Sequence, residues 1–202
     1  MQNIFGRTKM IRVVGPKDPQ ELQDKAVNTT SRSRNWSRGL SPFFVGPIEL
    51  YGGYVAKNLE NAWQFSKVYP QHFDEENDQI KDSYFEWSES GWSDERAYRY
   101  PAGKGARPLF SYWDGEKLGY VDARKKIYAP LYAKAVEKTS AYKQLKELHE
   151  LSDELYLWDF DSYDHHAMGM DWKDVMNYEK KKMGHGFVLA MMLEDKLEEA
   201  IS

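Results

Sequence analysis

The segment that most limits how this chain can fold runs from Leu40 to Pro70. Leu40-Ser41-Pro42-Phe43-Phe44 is an aromatic loop. Gly46-Pro47 then separates two apolar runs, Phe43-Phe44-Val45 and Ile48-Glu49-Leu50-Tyr51, and Gly52-Gly53 ends the second. That pattern predicts a small antiparallel hairpin turning at Gly46-Pro47. Asn58 stands where a helix N-cap belongs and Pro70 where a helix must stop. The spacing between them predicts a helix over about 59–69 that buries Leu59, Ala62, Trp63 and Ser66 or Phe65. On such a helix Glu60, Gln64 and Lys67 fall at i, i+4 and i+7, so a carboxylate, an amide and an amine share one side. A glutamate in the first turn of a helix also has a purely structural explanation, attraction to the helix dipole.

The 202 residues form most simply one domain, 1–202. No apolar run approaches the roughly 20 residues that cross a bilayer, and Met1-Gln2-Asn3-Ile4-Phe5-Gly6-Arg7 lacks the apolar core of a secretory signal. A soluble, cytoplasmic protein with no membrane partner is the expectation. The chain has no cysteine, which excludes disulfides, thiolate metal sites and cysteine nucleophiles. The net charge is mildly acidic, but 7–38 is basic and 60–95 acidic. This suggests either a basic entrance able to meet phosphate or two solvated faces of opposite sign. Aromatic residues make up 15% of the chain, enough for some rings to stack on a planar ligand while most serve the core.

Ile11-Arg12-Val13-Val14 and Ala26-Val27-Asn28-Thr29-Thr30 read as short strands, and 29–39 as a donor-rich loop. In that loop Arg32, Arg34, Asn35 and Arg38 suit a phosphorylated or diphosphate-bearing sugar. The acidic tract 74–93 fits a surface helix with Tyr84, Phe85, Trp87 and Trp92 turned inward, and 98–105 a mobile Gly/Pro loop. Helical periodicity marks 117–138 and 141–149, with Ile127, Leu131, Ala135, Leu145, Leu148 and Leu151 expected to be buried. Leu155-Tyr156-Leu157-Trp158 reads as a strand ending in an acidic turn, Asp159 to His166. The closing helix starts near Gly184 or Gly186 and carries its apolar stripe on Phe187, Leu189 or Ala190, Met191, Leu193 and Leu197.

Four familiar signatures can be set aside. Gly103-Lys104-Gly105 lacks the other elements of a P-loop, and no dinucleotide-binding glycine pattern follows a strand. The run from Asp159 to Met170 has Asp164 where a calcium loop needs its turn glycine and Met170 where it needs glutamate. Asp164-His165-His166 matches three letters of a metal-dependent phosphoesterase motif. The further ligands such enzymes need are missing from the pattern, so a solvated acidic turn is the simpler reading.

Taken together, Leu40-Ser41-Pro42-Phe43 and Leu59-Glu60-Asn61-Ala62-Trp63-Gln64-Phe65-Ser66-Lys67 resemble the core of the NADAR superfamily, the YbiA-like N-glycosidases. In that superfamily an (F/L)-S-x-F element precedes a helix of the form x-E-H-x-(F/Y)-Q-A-x-K. Arg107-Pro108-Leu109-Phe110-Ser111-Tyr112-Trp113 is similar to its basic segment ending in tryptophan, and 183–193 to its final helix. The resemblance spans about 36–194. Asn61 stands where the family commonly has histidine, Gly184 lacks the preceding asparagine, and Glu194 falls near the position of a C-terminal arginine.

The resemblance implies a mainly helical α+β single domain with a small β-sheet, and hydrolysis of a ribosyl N-glycosidic bond. It points to an ADP-ribose-like or ribosyl nucleotide ligand, with ADP-ribosylated DNA among the substrates. Relatives in phage genomes extend this to counter-defence, with the host cytoplasm as the setting. Glu60 matches the catalytic glutamate, Gln64 and Lys67 the polar side of its helix, and Trp113 the active-site tryptophan. A second acid would come from Asp161 or Asp164. Arg34, Asn35 and Arg38, with Ser41 and Phe43 of the aromatic loop, complete the binding set. No metal or organic cofactor is implied. The rival readings are a binding protein that holds the same ligand without turnover, an assembly protein that docks through its charged tracts, and the phosphoesterase.

Overall fold

The structure, a computed structural model, describes residues 9–202. Met1 to Arg7, read above for the absence of a secretory signal, lies outside the described residues, as does the start of the basic tract at Arg7. The fold is α+β, mainly helical, and among the described residues the strands are spread over four small sheets rather than one.

The chain opens with β1 (Met10–Val14), α1 (Gln20–Lys25) and β2 (Val27–Asn28), continues through β3 (Ile48–Glu49) and β4 (Val55–Ala56), and reaches α2 (Leu59–Gln64) and β5 (Lys67–Val68). β6 (Phe73–Asp74), β7 (Gln79–Ile80), α3 (Asp82–Ser93), β8 (Phe110–Trp113) and β9 (Glu116–Leu118) follow. Next, α4 (Tyr120–Ala123) runs through a π-turn (Arg124–Tyr128) into α5 (Ala129–Val136), and α6 (Ser140–Leu151) leads to β10 (Glu154–Trp158). α7 (Trp172–Asn177), α8 (His185–Leu193) and α9 (Leu197–Ile201) close the chain.

The sheet that organises the site has the order β1-β10-β2, all parallel, with Ile11 opposite Leu155 and Leu157 opposite Val27. β1, α1 and β2 thus form a split βαβ unit whose gap is filled by β10 from far along the sequence. All three strands end on the same edge, and in parallel sheets ligands bind beyond the carboxyl ends of the strands. α8 covers this sheet. Its residues from His185 to Met191 are buried, as expected of a helix that is apolar on every side and runs through a core. One core cluster takes in residues from Ile11 to Ala200, and Leu118, Ala123 and Ile127 form a small second one.

Several expectations shift. The hairpin turns at Gly52-Gly53, pairing Ile48 with Ala56, and Phe43-Phe44 is a turn. Gly52 and Gly53 have φ of 63° and 81°, a conformation open to residues without a Cβ, which lets the chain reverse there. α2 ends at Gln64, so Lys67 comes from β5, which pairs with β8 through Lys67 and Ser111. Lys117 and Leu118, expected to open a helix over 117–138, belong to β9. Leu148 is 37% exposed and Leu151 86%, because only Leu145 of that stripe meets the core. Trp63 is half-buried rather than core.

Asn61, of α2, has a clear structural role. It is fully buried, and its Nδ2 donates to the carbonyls of Asp94 (3.1 Å) and Arg96 (2.9 Å) while its Oδ1 accepts from the Tyr98 amide (2.9 Å). α2 thereby holds the loop that carries Arg99. Removing the amide strands three backbone groups. We expect Asn61→Ala to lower stability by about 1–3 kcal/mol in urea denaturation; a loss below about 0.5 kcal/mol would show that this anchor is dispensable.

Candidate functional site

The motif at 40–45 caps the helix that follows it. The first-turn amides of α2 have no partner within the helix. Leu59 N–H donates to the Val45 carbonyl (2.8 Å), Glu60 N–H to the Pro42 carbonyl (3.0 Å), and Asn61 N–H to the Asn58 side chain (2.9 Å). The aromatic loop and Glu60 are therefore locked together. Ser41, Pro42, Phe43 and Glu60 line the same cavity, which has a volume of about 820 Å³ and lies at the carboxyl edge of the parallel sheet. Small-molecule sites span about 300–1,000 Å³.

Glu60 is 7% exposed. Its Oε1 accepts from Gln64 Nε2 (3.0 Å), and Gln64 Oε1 accepts from Lys67 Nζ (2.7 Å). The row read from the sequence thus exists as a hydrogen-bonded chain, although its third member stands on a strand. Burial raises the Glu60 pKa above the ordinary glutamate value, with Gln64 and the Lys67 charge pulling the other way. Burial also lowers Lys67 to about 8, against the pull of Glu60. Lys67 Nζ sits 4.7 Å from the centre of the Trp63 ring. Trp63, Tyr128 and Tyr120 form an aromatic wall, with ring centres 5.2 Å (Trp63–Tyr128) and 6.5 Å (Trp63–Tyr120) apart.

Behind this wall lies a buried ion pair that the sequence reading missed. His185 Nδ1 is 2.9 Å from Asp159 Oδ2, and His185 Nε2 is 2.8 Å from the Thr29 carbonyl. Both ring nitrogens face acceptors, which requires both to carry hydrogen, so His185 is an imidazolium. Asp159 also accepts from the amides of Gly186 (2.9 Å) and Asp161 (3.1 Å). Burial opposes both charges. The His185 charge and these hydrogen bonds outweigh it at Asp159, whose carboxyl falls below its ordinary value, and Asp159 outweighs it at His185, which rises. Gly184 permits the approach, since a Cβ there would lie 2.4 Å from Asp159 Oδ2.

The mouth of the cavity is basic. Arg32, Arg99, Arg107 and Lys182 line it and are exposed. Arg99 lies 3.8 Å from Asp161 and 5.7 Å from the centre of the Phe160 ring, which Arg32 also approaches at 4.9 Å. Arg124, buried, donates to the carbonyls of Val175, Met176, Tyr178 and Lys181, which fastens the end of α7 to the cavity wall. Of these mouth residues, Arg32 was read with the donor-rich loop and Arg107 with the basic segment ending in tryptophan; Arg99, Lys182 and Trp63 did not stand in the sequence-derived site. The nearest available signal was Trp63, three residues after Glu60.

Of the expected site residues, Glu60, Gln64, Lys67, Ser41, Phe43 and Asp161 line the cavity, and five others do not. Asp164 is exposed and caps its own turn by accepting from the Ala167 amide (2.9 Å); it borders a neighbouring hollow of about 580 Å³ that shares Phe160, Asp161 and Lys182 with the main cavity. Asn35 is the N-cap of the short 3-10 turn Trp36–Leu40, its Oδ1 accepting from the Ser37 amide (3.0 Å). That turn carries Arg38 outward over Phe44, 4.3 Å from the ring centre, and Arg34 is exposed beside it. Trp113 lies near the β8–β9 turn, its ring 4.9 Å from that of Tyr51. His165, of the Asp-His-His triplet, is buried with its ring 4.3 Å from that of Trp172, and burial lowers it to about 4. Among the described residues no group of three or more His, Cys, Asp or Glu side chains is placed to hold a metal ion, and no helix is long and apolar enough to cross a membrane.

Residues 19–172 match a family of unknown function, DUF6939, and the chain belongs to that family. No curated protein and no solved structure matches the chain.

The Asp159–His185 pair gives stability a pH signature. The depressed Asp159 contributes fully above the unfolded aspartate pKa of 3.8, and this is lost as pH falls through its folded value. The raised His185 contributes fully below the unfolded histidine pKa of 6.5 and loses its contribution as pH rises through its folded value. Asp159→Asn leaves a buried imidazolium unpaired and should cost about 3–5 kcal/mol. The deficit against wild type should be largest between these two unfolded values and shrink toward alkaline pH. Denaturation curves at several pH values test this, and a deficit that does not vary with pH would contradict an ion pair.

Proposed function

We propose that this protein is a NADAR-like N-glycosidase that hydrolyses the bond between ribose and a base, with an ADP-ribosylated nucleobase or related nucleotide as substrate. The observation that carries the reading is Glu60. One of its oxygens is held by Gln64, and the carboxyl lies at the wall of a cavity flanked by Trp63 and opening through arginines. A cleaving ribosyl C–N bond builds positive charge on the sugar, and a carboxylate close to that carbon stabilises it. Water adds to the anomeric carbon as the C–N bond breaks, and Glu60 takes the water's proton. The electron pair of the broken bond goes to the base nitrogen, which acquires a proton in turn. Trp63 and Tyr120 suit a planar base, while Arg32, Arg99, Arg107 and Lys182 suit the phosphates. Asp161 sits at the mouth beside Arg99, where orienting that arginine is its nearest role.

The test is turnover on ADP-ribosylated bases and ribosylamines, read as released ADP-ribose or ribose phosphate. Glu60→Gln should lose at least about 100-fold in kcat/KM while melting normally. The pH profile of the wild type should rise through the elevated Glu60 pKa as the carboxylate forms, then fall above about 8 as Lys67 loses its charge. Binding without turnover by either form across the panel would replace the enzyme with a ligand-binding protein.

A further inference from the structure

One polar group on the cavity wall has no role in the reaction described above. Tyr128 is 8% exposed and lines the cavity. Among the described residues its hydroxyl has no hydrogen-bond partner, and it is not one of the side-chain atoms sealed from solvent without one, which are Asn58 Nδ2, Trp92 Nε1, His149 Nε2 and the Tyr163 hydroxyl. The hydroxyl therefore opens into the cavity. Tyr132 lies one turn further along, with its ring parallel to that of Tyr128 within 9°, and donates to the Leu40 carbonyl. Of two neighbouring buried tyrosines, one is tied into the fold and the other is left free at the ligand-facing wall.

The backbone singles out the same residue. Tyr128 ends the π-turn that interrupts the α4–α5 helix, and Arg124, which also lines the cavity, begins it. Single π-turns are rare and concentrate at functional sites. The charges of Asp159, Glu60 and Asp161 act on the Tyr128 hydroxyl in addition to burial, and all of these influences keep it protonated as a donor. Tyr69, also on the wall, is raised by burial alone.

We propose that Tyr128 is a ligand-contacting residue whose hydroxyl donates a hydrogen bond to the reacting end of a ribosylated ligand, at a ribose oxygen or at the attached base. The nature of that ligand rests on the glycosidase reading; the free hydroxyl does not. Calorimetric binding of ADP-ribose, which has a hydroxyl at the reacting anomeric carbon, and NAD, which carries the nicotinamide base there, tests this in the Glu60→Gln background, where NAD is not consumed. Adding Tyr128→Phe should leave the melting temperature unchanged, since no internal bond is lost. It should weaken at least one ligand by about five- to tenfold, the worth of one hydrogen bond. Weakening of both places the contact on ribose, and weakening of NAD alone places it on the base. Tyr142→Phe, a buried tyrosine away from the cavity, should change neither affinity.

Unchanged affinity for both ligands, a drop of several degrees in melting temperature, or failure of the parent to bind either ligand would overturn the proposal. The glycosidase reading is judged separately, by turnover in the wild-type chain. A loss of affinity in Tyr128→Phe without turnover on any substrate keeps Tyr128 as a binding residue and removes the enzyme. Turnover with an indifferent Tyr128→Phe does the reverse.

Discussion

The contact between Asp159 and His185 ties the carboxyl edge of the parallel sheet to the start of α8. Asp159 is the first residue beyond β10, the central strand of the parallel sheet, and its amide still donates to the Val14 carbonyl of β1 (2.8 Å). His185 opens α8, the helix that runs through the core, and its other nitrogen reaches the Thr29 carbonyl just past β2. One ion pair therefore pins all three strand ends to the start of one helix. A carboxylate receiving the Gly186 amide at a helix N-terminus also has the helix dipole in its favour. Burying two charges is costly unless their remaining polar atoms are satisfied, and here both nitrogens of the imidazolium and both oxygens of the carboxylate are engaged.

With that corner fixed, the cavity follows from geometry. The sheet edge and the start of α8 supply its back, and α2 brings Glu60 and Trp63 to one side. The π-turn brings Arg124 and Tyr128, while the loop held by Asn61 delivers Arg99 to the mouth. Two of the acidic groups that line the cavity differ in character. Asp159 is saturated by hydrogen bonds and held ionised, so it is structural. Glu60 is buried with a single side-chain partner and drawn toward its protonated form, as suits a group that exchanges protons.

The local rules of sequence reading succeeded where the physics is local. Asn58 as a cap, Glu60 in the first turn of a helix, the strand at 155–158 and the helix at 141–149 depend on a few adjacent residues. They failed where a distant partner decided. Trp113 lies outside the cavity, against Tyr51 near the β8–β9 turn, Arg38 was turned outward by a 3-10 turn, and Leu151 stands exposed. Asp159 and Asp164 look alike within one acidic stretch, yet one is sealed inside and the other exposed.

The amino-acid sequence alone determined the capped start of the helix at Asn58, the carboxylate in its first turn, and the absence of thiol chemistry, because capping, periodicity and composition need no knowledge of what lies across the molecule. The tertiary structure decided which aromatic rings and arginines share the cavity with Glu60, why His185 is charged, and why the Tyr128 hydroxyl is free. Each of these depends on a partner far away in sequence, or on the lack of one, and the partner that an acid, a base or a hydroxyl finds on folding sets what it can do.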